Sequence, residues 1–180
     1  MPTIEDKVVQ MAVTRVLNRI YEADFLDCSY GYRPGRSCHT ALGALGRTIQ
    51  RQKVSWIVEA DIRGFFDHVN HEWLMKFLEL RIGDPRILRL IRRMLKGGVT
   101  EDGLIQASEE GTPQGAILSP LLSNVYLHYL LDLWFDFNRR SQRRSYTWER
   151  FRSALNWVGW PSVKIRLHLD PFRRVGLNYY

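Results

Sequence analysis

Three short stretches of this chain hold residue types at spacings that could do chemistry. In Glu59-Ala60-Asp61-Ile62-Arg63-Gly64-Phe65-Phe66-Asp67, a carboxylate ends a β-branched, apolar run and is followed by a glycine turn and two aromatic rings. A hard divalent cation takes carboxylate and carbonyl oxygens on a rigid support, which is what such a stretch offers. In Gly111-Thr112-Pro113-Gln114-Gly115-Ala116-Ile117-Leu118-Ser119-Pro120, two glycines and a proline surround a glutamine. Backbone can approach a ligand closely there, and the amide can touch a sugar or a phosphate edge. In Tyr30-Gly31-Tyr32-Arg33-Pro34-Gly35-Arg36-Ser37, two arginines flank a fixed turn just before a helix start. Guanidinium forks at that place suit a triphosphate. Each stretch alone also fits a plain structural role: a capped turn with Phe65 and Phe66 in the core, a loop before a helix, a solvated basic loop.

The elements that must position these residues follow from periodicity. Thr3 and Asp6 read as a capping box ahead of Val8, Val9, Ala12, Val13, Val16, Leu17 and Ile20 at helical spacing, a first amphipathic helix to about Tyr21. Ser37 caps a second helix bearing Ala41, Leu42, Leu45 and Ile49. Val54 to Ala60 reads as a buried strand that delivers Asp61 at or near its end. Asn70 opens a helix with Trp73, Leu74, Phe77 and Leu78, and Asp84-Pro85 opens another, with Ile87, Leu88, Ile91 and Leu95, that stops at Gly97-Gly98. Val99 to Ala107 is a hairpin turning at Asp102-Gly103, and a helix runs from about Ser119 to Phe135. Beyond Asn138 a basic linker leads to a short helix capped by Thr147 and to one strand, Val163 to Leu169, with Lys164, Arg166 and His168 on its cationic face.

Charge divides the 180 residues. Residues 1–137 hold 16 basic and 17 acidic groups and residues 138–180 hold 10 and 2, so a near-neutral body carries a +8 tail. Clustered charge of this kind attracts a polyanion, nucleic acid before an acidic membrane surface, since the tail has no long amphipathic face. No apolar run approaches the roughly 18 residues of a membrane span, and the start does not read as a signal peptide. Two cysteines, Cys28 and Cys38, make no disulfide framework, which points to a reducing, cytoplasmic interior. Cys38, His39, His68 and His71 match no usual zinc spacing.

Taken together and in order, the three stretches resemble the group II intron reverse transcriptase-maturases. Pro2 to Gln10 looks like the family's first fingers block, Ser29 to His39 like its second, Asp61 to Asp67 like palm motif A and Glu110 to Leu127 like motif B. Asn138 to Phe151 is similar to the family's extreme C-terminal stretch. The resemblance implies an α+β fold: residues 1–137 as helical fingers and a partial palm of a reverse transcriptase domain, and residues 138–180 as a short basic C-terminal extension. It also implies an RNA-directed DNA polymerase that works on an RNA template, a DNA primer, dNTP and group II intron RNA, with no membrane partner, through two Mg²⁺ ions. Asp61 would ligate both ions and the Ile62 carbonyl one of them. Phe66 would lie under the sugar, Gln114 with Pro113 and Gly115 would lie against the nucleotide, and Arg33 and Arg36 would contact its triphosphate. Asp67 would brace the turn. Arg139, Arg140, Arg143, Arg144 and Trp148 would supply charge and stacking to RNA.

The family's second acidic cluster, a Tyr-x-Asp-Asp hairpin, has no counterpart, because the sequence contains no Asp-Asp pair. The resemblance thus implies an internally deleted and 5′-shortened gene, joined near residues 135–138, and negligible polymerase activity. The alternative is a non-catalytic RNA-binding, maturase-like remnant. Strand Val54–Asp61 would lose its usual partner, leaving an open edge that Val163–Leu169 is available to cover.

Overall fold

Short polar side chains start four helices. For α1 (Ile4–Tyr21), the Thr3 hydroxyl accepts from the Asp6 amide at 3.2 Å and Asp6 Oδ2 accepts from the Thr3 amide at 3.1 Å, the reciprocal box expected of this pair. For α2 (Cys38–Arg51), Ser37 Oγ accepts from the Thr40 amide at 3.2 Å. Asn70 Oδ1 accepts from the Trp73 amide at 3.0 Å to start α3 (His71–Glu79). Asp84 Oδ1 accepts from the Arg86 amide at 2.8 Å, with Pro85 in the first turn of α4 (Pro85–Lys96). The computed structural model describes residues 3–52, 54, 56–62, 64–97, 100–101, 104–105, 111–112, 116–134, 136 and 163–169, and of 56–60, 100–101, 104–105 and 163–169 the backbone path.

The Asp84 cap titrates. Hydrogen bonds from the Arg86 side chain, then from its amide, hold the Asp84 carboxyl below the usual carboxylate range. A depressed folded value means that the cap's contribution is present above the unfolded value of about 4 and is lost as pH falls through the folded one. Between about pH 5 and pH 3 the melting temperatures of the parent chain and of Asp84→Asn should therefore converge, because asparagine caps without titrating. A gap of constant size across that range would refute the assignment.

The core gathers where α3, α4, α5 (Ser119–Leu127) and the C-terminal end of α1 meet. It holds Leu17, Tyr21 and Phe25, then Leu74 and Leu78, Ile91 and Leu95, and Leu121, Leu122, Val125 and Tyr126. Of the stripe expected on α1, Leu17 is buried and Val13 and Ile20 pack against the core, joined by Tyr21 and Gln10, while Val8 and Val16 are 63% and 51% exposed. No residue of α2 is buried, and Leu42, Leu45 and Ile49 are exposed. Periodicity thus located the inward faces of α3, α4 and the C-terminal half of α1, but not of α2, whose expected apolar residues Leu42, Leu45 and Ile49 face water.

The expected strand is β1 (Trp56–Ile62), with Asp61 one residue from its end. Its partner is β4 (Val163–Leu169), antiparallel over the whole strand, from Trp56 opposite Leu169 to Ile62 opposite Val163. The edge expected to stand open on this side is covered, and the sheet joins the near-neutral body to the basic tail. The burial expected of Val54–Ala60 concerns side chains that, from Trp56 to Ala60, lie outside the described residues. The hairpin is β2 (Thr100–Glu101) against β3 (Leu104–Ile105), with Val99, Asp102, Gly103, Gln106 and Ala107 of the predicted run outside the described residues. After α5 the helix widens by one turn: over His128–Asp132 the Leu133 amide donates to the His128 carbonyl five residues back. The fold is α+β, mostly helical with little sheet. No described helix is long and apolar enough to cross a membrane.

Candidate functional site

Gly64, at φ 62°, turns the chain out of β1 into a single 3-10 turn, Phe65–Asp67. The Asp67 amide donates back to the Gly64 carbonyl at 3.0 Å, so Asp67 closes the turn through its backbone while its side chain is exposed. Phe66 is half-buried and meets Phe65 edge-on, with centroids 5.3 Å apart. Its carbonyl accepts from the Thr112 amide at 2.7 Å, and the Val69 carbonyl accepts from the Gly111 amide at 2.9 Å. Gly111 sits at φ 85°, and a Cβ there would stand 3.0 Å from the Phe66 and Asp67 carbonyl oxygens. The first and second chemical stretches are therefore sewn together backbone to backbone.

The ends of the second stretch are fixed by two side chains to which sequence reasoning gave no role at this loop. His71, buried, donates through Nε2 to the Gly111 carbonyl. Gln10, 8% exposed, accepts from the Ile117 amide through Oε1 at 2.9 Å, across 107 residues of chain. The signal for Gln10 was a polar residue on the spacing of Leu17 and Tyr21, where an apolar one is expected. Between these anchors lie Pro113, Gln114 and Gly115, which are outside the described residues, as are Arg139, Arg140, Arg143, Arg144 and Trp148. The third stretch is tied to α5, where Asn124 Nδ2 donates to the Gly31 carbonyl at 2.7 Å.

The two arginines of that loop part company. Arg33 is 6% exposed: Nε and Nη2 fork onto the Glu22 carboxylate at 2.9–3.2 Å, and Nη1 donates to the Leu26 and Ser29 carbonyls at 2.7 and 2.9 Å. Its guanidinium also lies over the Phe25 ring, 5.2 Å from the centroid. With Nε, Nη1 and Nη2 all engaged and buried, Arg33 braces its loop. This corrects the expected triphosphate contact at Arg33, since the guanidinium has already found a carboxylate and two carbonyls inside the protein. Arg36 pairs with Asp27, whose side chain is fully exposed, at 2.9 Å and covers Tyr30 at 5.3 Å. The carboxylate half of this pair is open to water and weak, while Arg36 Nη1 also donates to the Asp27 carbonyl and the guanidinium is part-buried.

Asp61 is exposed, and the register sets Lys164 opposite it and Arg166 opposite Glu59. Among the described residues, no three His, Cys, Asp or Glu side chains gather closely enough to hold a metal ion. A pair of divalent ions needs several shared oxygen donors. One carboxylate and the Ile62 carbonyl, with a lysine at the facing register position, do not fit such a pair.

Residues 1–147 match the family model described as reverse transcriptase (RNA-dependent DNA polymerase). The chain is 45% identical over 150 residues to the group II intron-encoded protein LtrA of Lactococcus lactis, which covers 80% of this chain and 24% of that protein. It is 35% identical over 190 aligned positions to protein YkfC of Escherichia coli, covering 96% of this chain and 48% of the relative. It is also 33% identical over 97 residues to nuclear intron maturase 1, mitochondrial, of Arabidopsis thaliana, covering 53% and 13%. The chain thus spans at most about half the length of these relatives.

Proposed function

The chain belongs to the reverse transcriptase family, and from that premise we propose that it is a fingers-and-palm framework of the group II intron type that engages RNA and a nucleotide without extending a primer. The observation that supports the reading is the seam between its chemical stretches, Thr112 on Phe66, Gly111 on Val69, His71 on Gly111 and Gln10 on Ile117. Such a seam fixes a loop for a ligand before the ligand arrives. In this reading Phe66 forms the floor under the sugar, and Gln114, held by Pro113 and Gly115, touches the nucleotide. Arg36 exchanges Asp27 for the triphosphate. Arg139, Arg140, Arg143, Arg144 and Trp148 hold RNA by charge and stacking, and Cys28 and Cys38, which are not joined in a disulfide, suit a reducing interior.

The family works with divalent ions, which supply charge neutralisation and activation of the attacking oxygen in nucleotidyl transfer. The donors around Asp61 do not fit that pair of ions, and the sequence has no Asp-Asp pair to complete them. A second reading, a maturase-like RNA-binding protein without catalysis, draws on the lysine across from Asp61. Template-directed primer extension on the purified chain, with Mg²⁺ and with Mn²⁺, tests the first reading. We expect no product above background, and Asp61→Ala should be indistinguishable from the parent. Template-dependent product that disappears in Asp61→Ala would overturn it.

A further inference from the structure

Helix α4 carries Arg86, Arg89, Arg92, Arg93 and Lys96, all exposed, and no acidic residue. This cluster lies in the near-neutral part of the chain. Two of the five have partners, Arg86 with Asp84 at 2.9 Å and Arg92 with Glu79 at 3.9 Å. Arg89, Arg93 and Lys96 have no ion-pair partner among the described residues, and their spacing of four and then three sets them in one stripe along the helix. Solvated helix faces usually interleave both signs, because like charges three or four apart repel. A dipole argument explains Arg93 and Lys96 in the last turn but not Arg89 in the middle.

We propose that this stripe is a contact surface for the phosphate backbone of double-helical RNA, an inference that rests on the RNA-binding part of the function proposed above. The helix holds its charges on a fixed support, since Asp84 caps it and Ile91 and Leu95 are buried beneath it. From Arg89 to Lys96 the axis rises about 10 Å, the span of about three phosphates along one strand of a duplex. The helix has no aromatic residue, so it offers no stacking surface for the unpaired bases of a single strand. Its apolar face is already packed into the core, so it has nothing to insert into a lipid surface.

The test uses the full chain and a variant with Arg89→Gln, Arg93→Gln and Lys96→Gln, whose fold is checked by circular dichroism and melting temperature. Anisotropy titrations over a range of salt compare a blunt RNA duplex of about 16 base pairs with a single strand of the same length. Vesicles of one part phosphatidylserine to three parts phosphatidylcholine form a third arm. We expect the folded variant to lose duplex affinity about tenfold or more near 0.1 M salt. Its slope of log affinity on log salt should become shallower by about 2–3, with a smaller change for the single strand and none for vesicles. Arg86→Gln alone should shift the slope by less than one. An unchanged duplex slope in the folded variant would overturn the stripe while leaving the proposed function standing. An equal loss for single strand and duplex, or a loss confined to vesicles, would overturn the choice of partner. A parent chain that binds neither RNA would remove the RNA reading itself.

Discussion

Replacing Gly111 with alanine should lower the unfolding free energy by about 2–4 kcal/mol, from two causes that act together. A non-glycine residue at φ 85° pays about 1–2 kcal/mol in backbone strain. The new Cβ would also meet two carbonyl oxygens of Phe66 and Asp67 at 3.0 Å, and backbone cannot yield there without loosening the Thr112 and Gly111 hydrogen bonds, worth roughly 1 kcal/mol each. Gly46 is the internal control: it lies inside α2 with nothing within 4 Å of its added Cβ. Gly46→Ala should stabilise by about 0.5–1 kcal/mol. Urea unfolding of both variants measures the difference, and equal effects would rule out the close approach at Gly111.

The second large effect belongs to Arg33. Arg33→Ala leaves the Glu22 carboxylate and the Leu26 and Ser29 carbonyls without their donors, and we expect a loss of about 3 kcal/mol. Arg33→Lys restores the charge but not the fork, so about half of that loss should remain. Arg36→Gln, where the guanidinium is part-buried but its carboxylate partner is exposed, should cost less than Arg33→Ala, about 1 kcal/mol. Denaturant titration orders the three, and nucleotide affinity gives a separate reading. If Arg33→Lys weakened nucleotide binding while leaving stability untouched, Arg33 would be a ligand contact and its role as a brace would fall.

Local signals were legible in the sequence. Thr3, Ser37, Asn70 and Asp84 each start the helix their side chains announce, because a cap depends on residues two or three positions away. The alternation in Val163–Leu169 announced a strand in the same way. What depends on distant partners was not legible. A loop arginine beside a proline looks the same whether it faces a phosphate or turns inward to Glu22, and only the fold decides between them. Gln10 looked like an interruption of an apolar stripe until the Ile117 amide arrived from across the chain. The register that sets Lys164 against Asp61 follows from no pattern within either strand, since a slip of two residues would keep every alternation intact.

The sheet has a kinetic consequence. Ile62 meets Val163 and Trp56 meets Leu169, so about 100 residues of chain must be gathered before the first rung forms. The α3–α4 and α3–α5 contacts close over shorter loops and need no such search. Two strands alone are marginal in water. Amide hydrogens of β1 and β4 should thus exchange through a partial opening well below the global free energy, while those of α5 wait for complete unfolding. The pairing of body and tail should close after the α3–α4 and α3–α5 contacts and open before them.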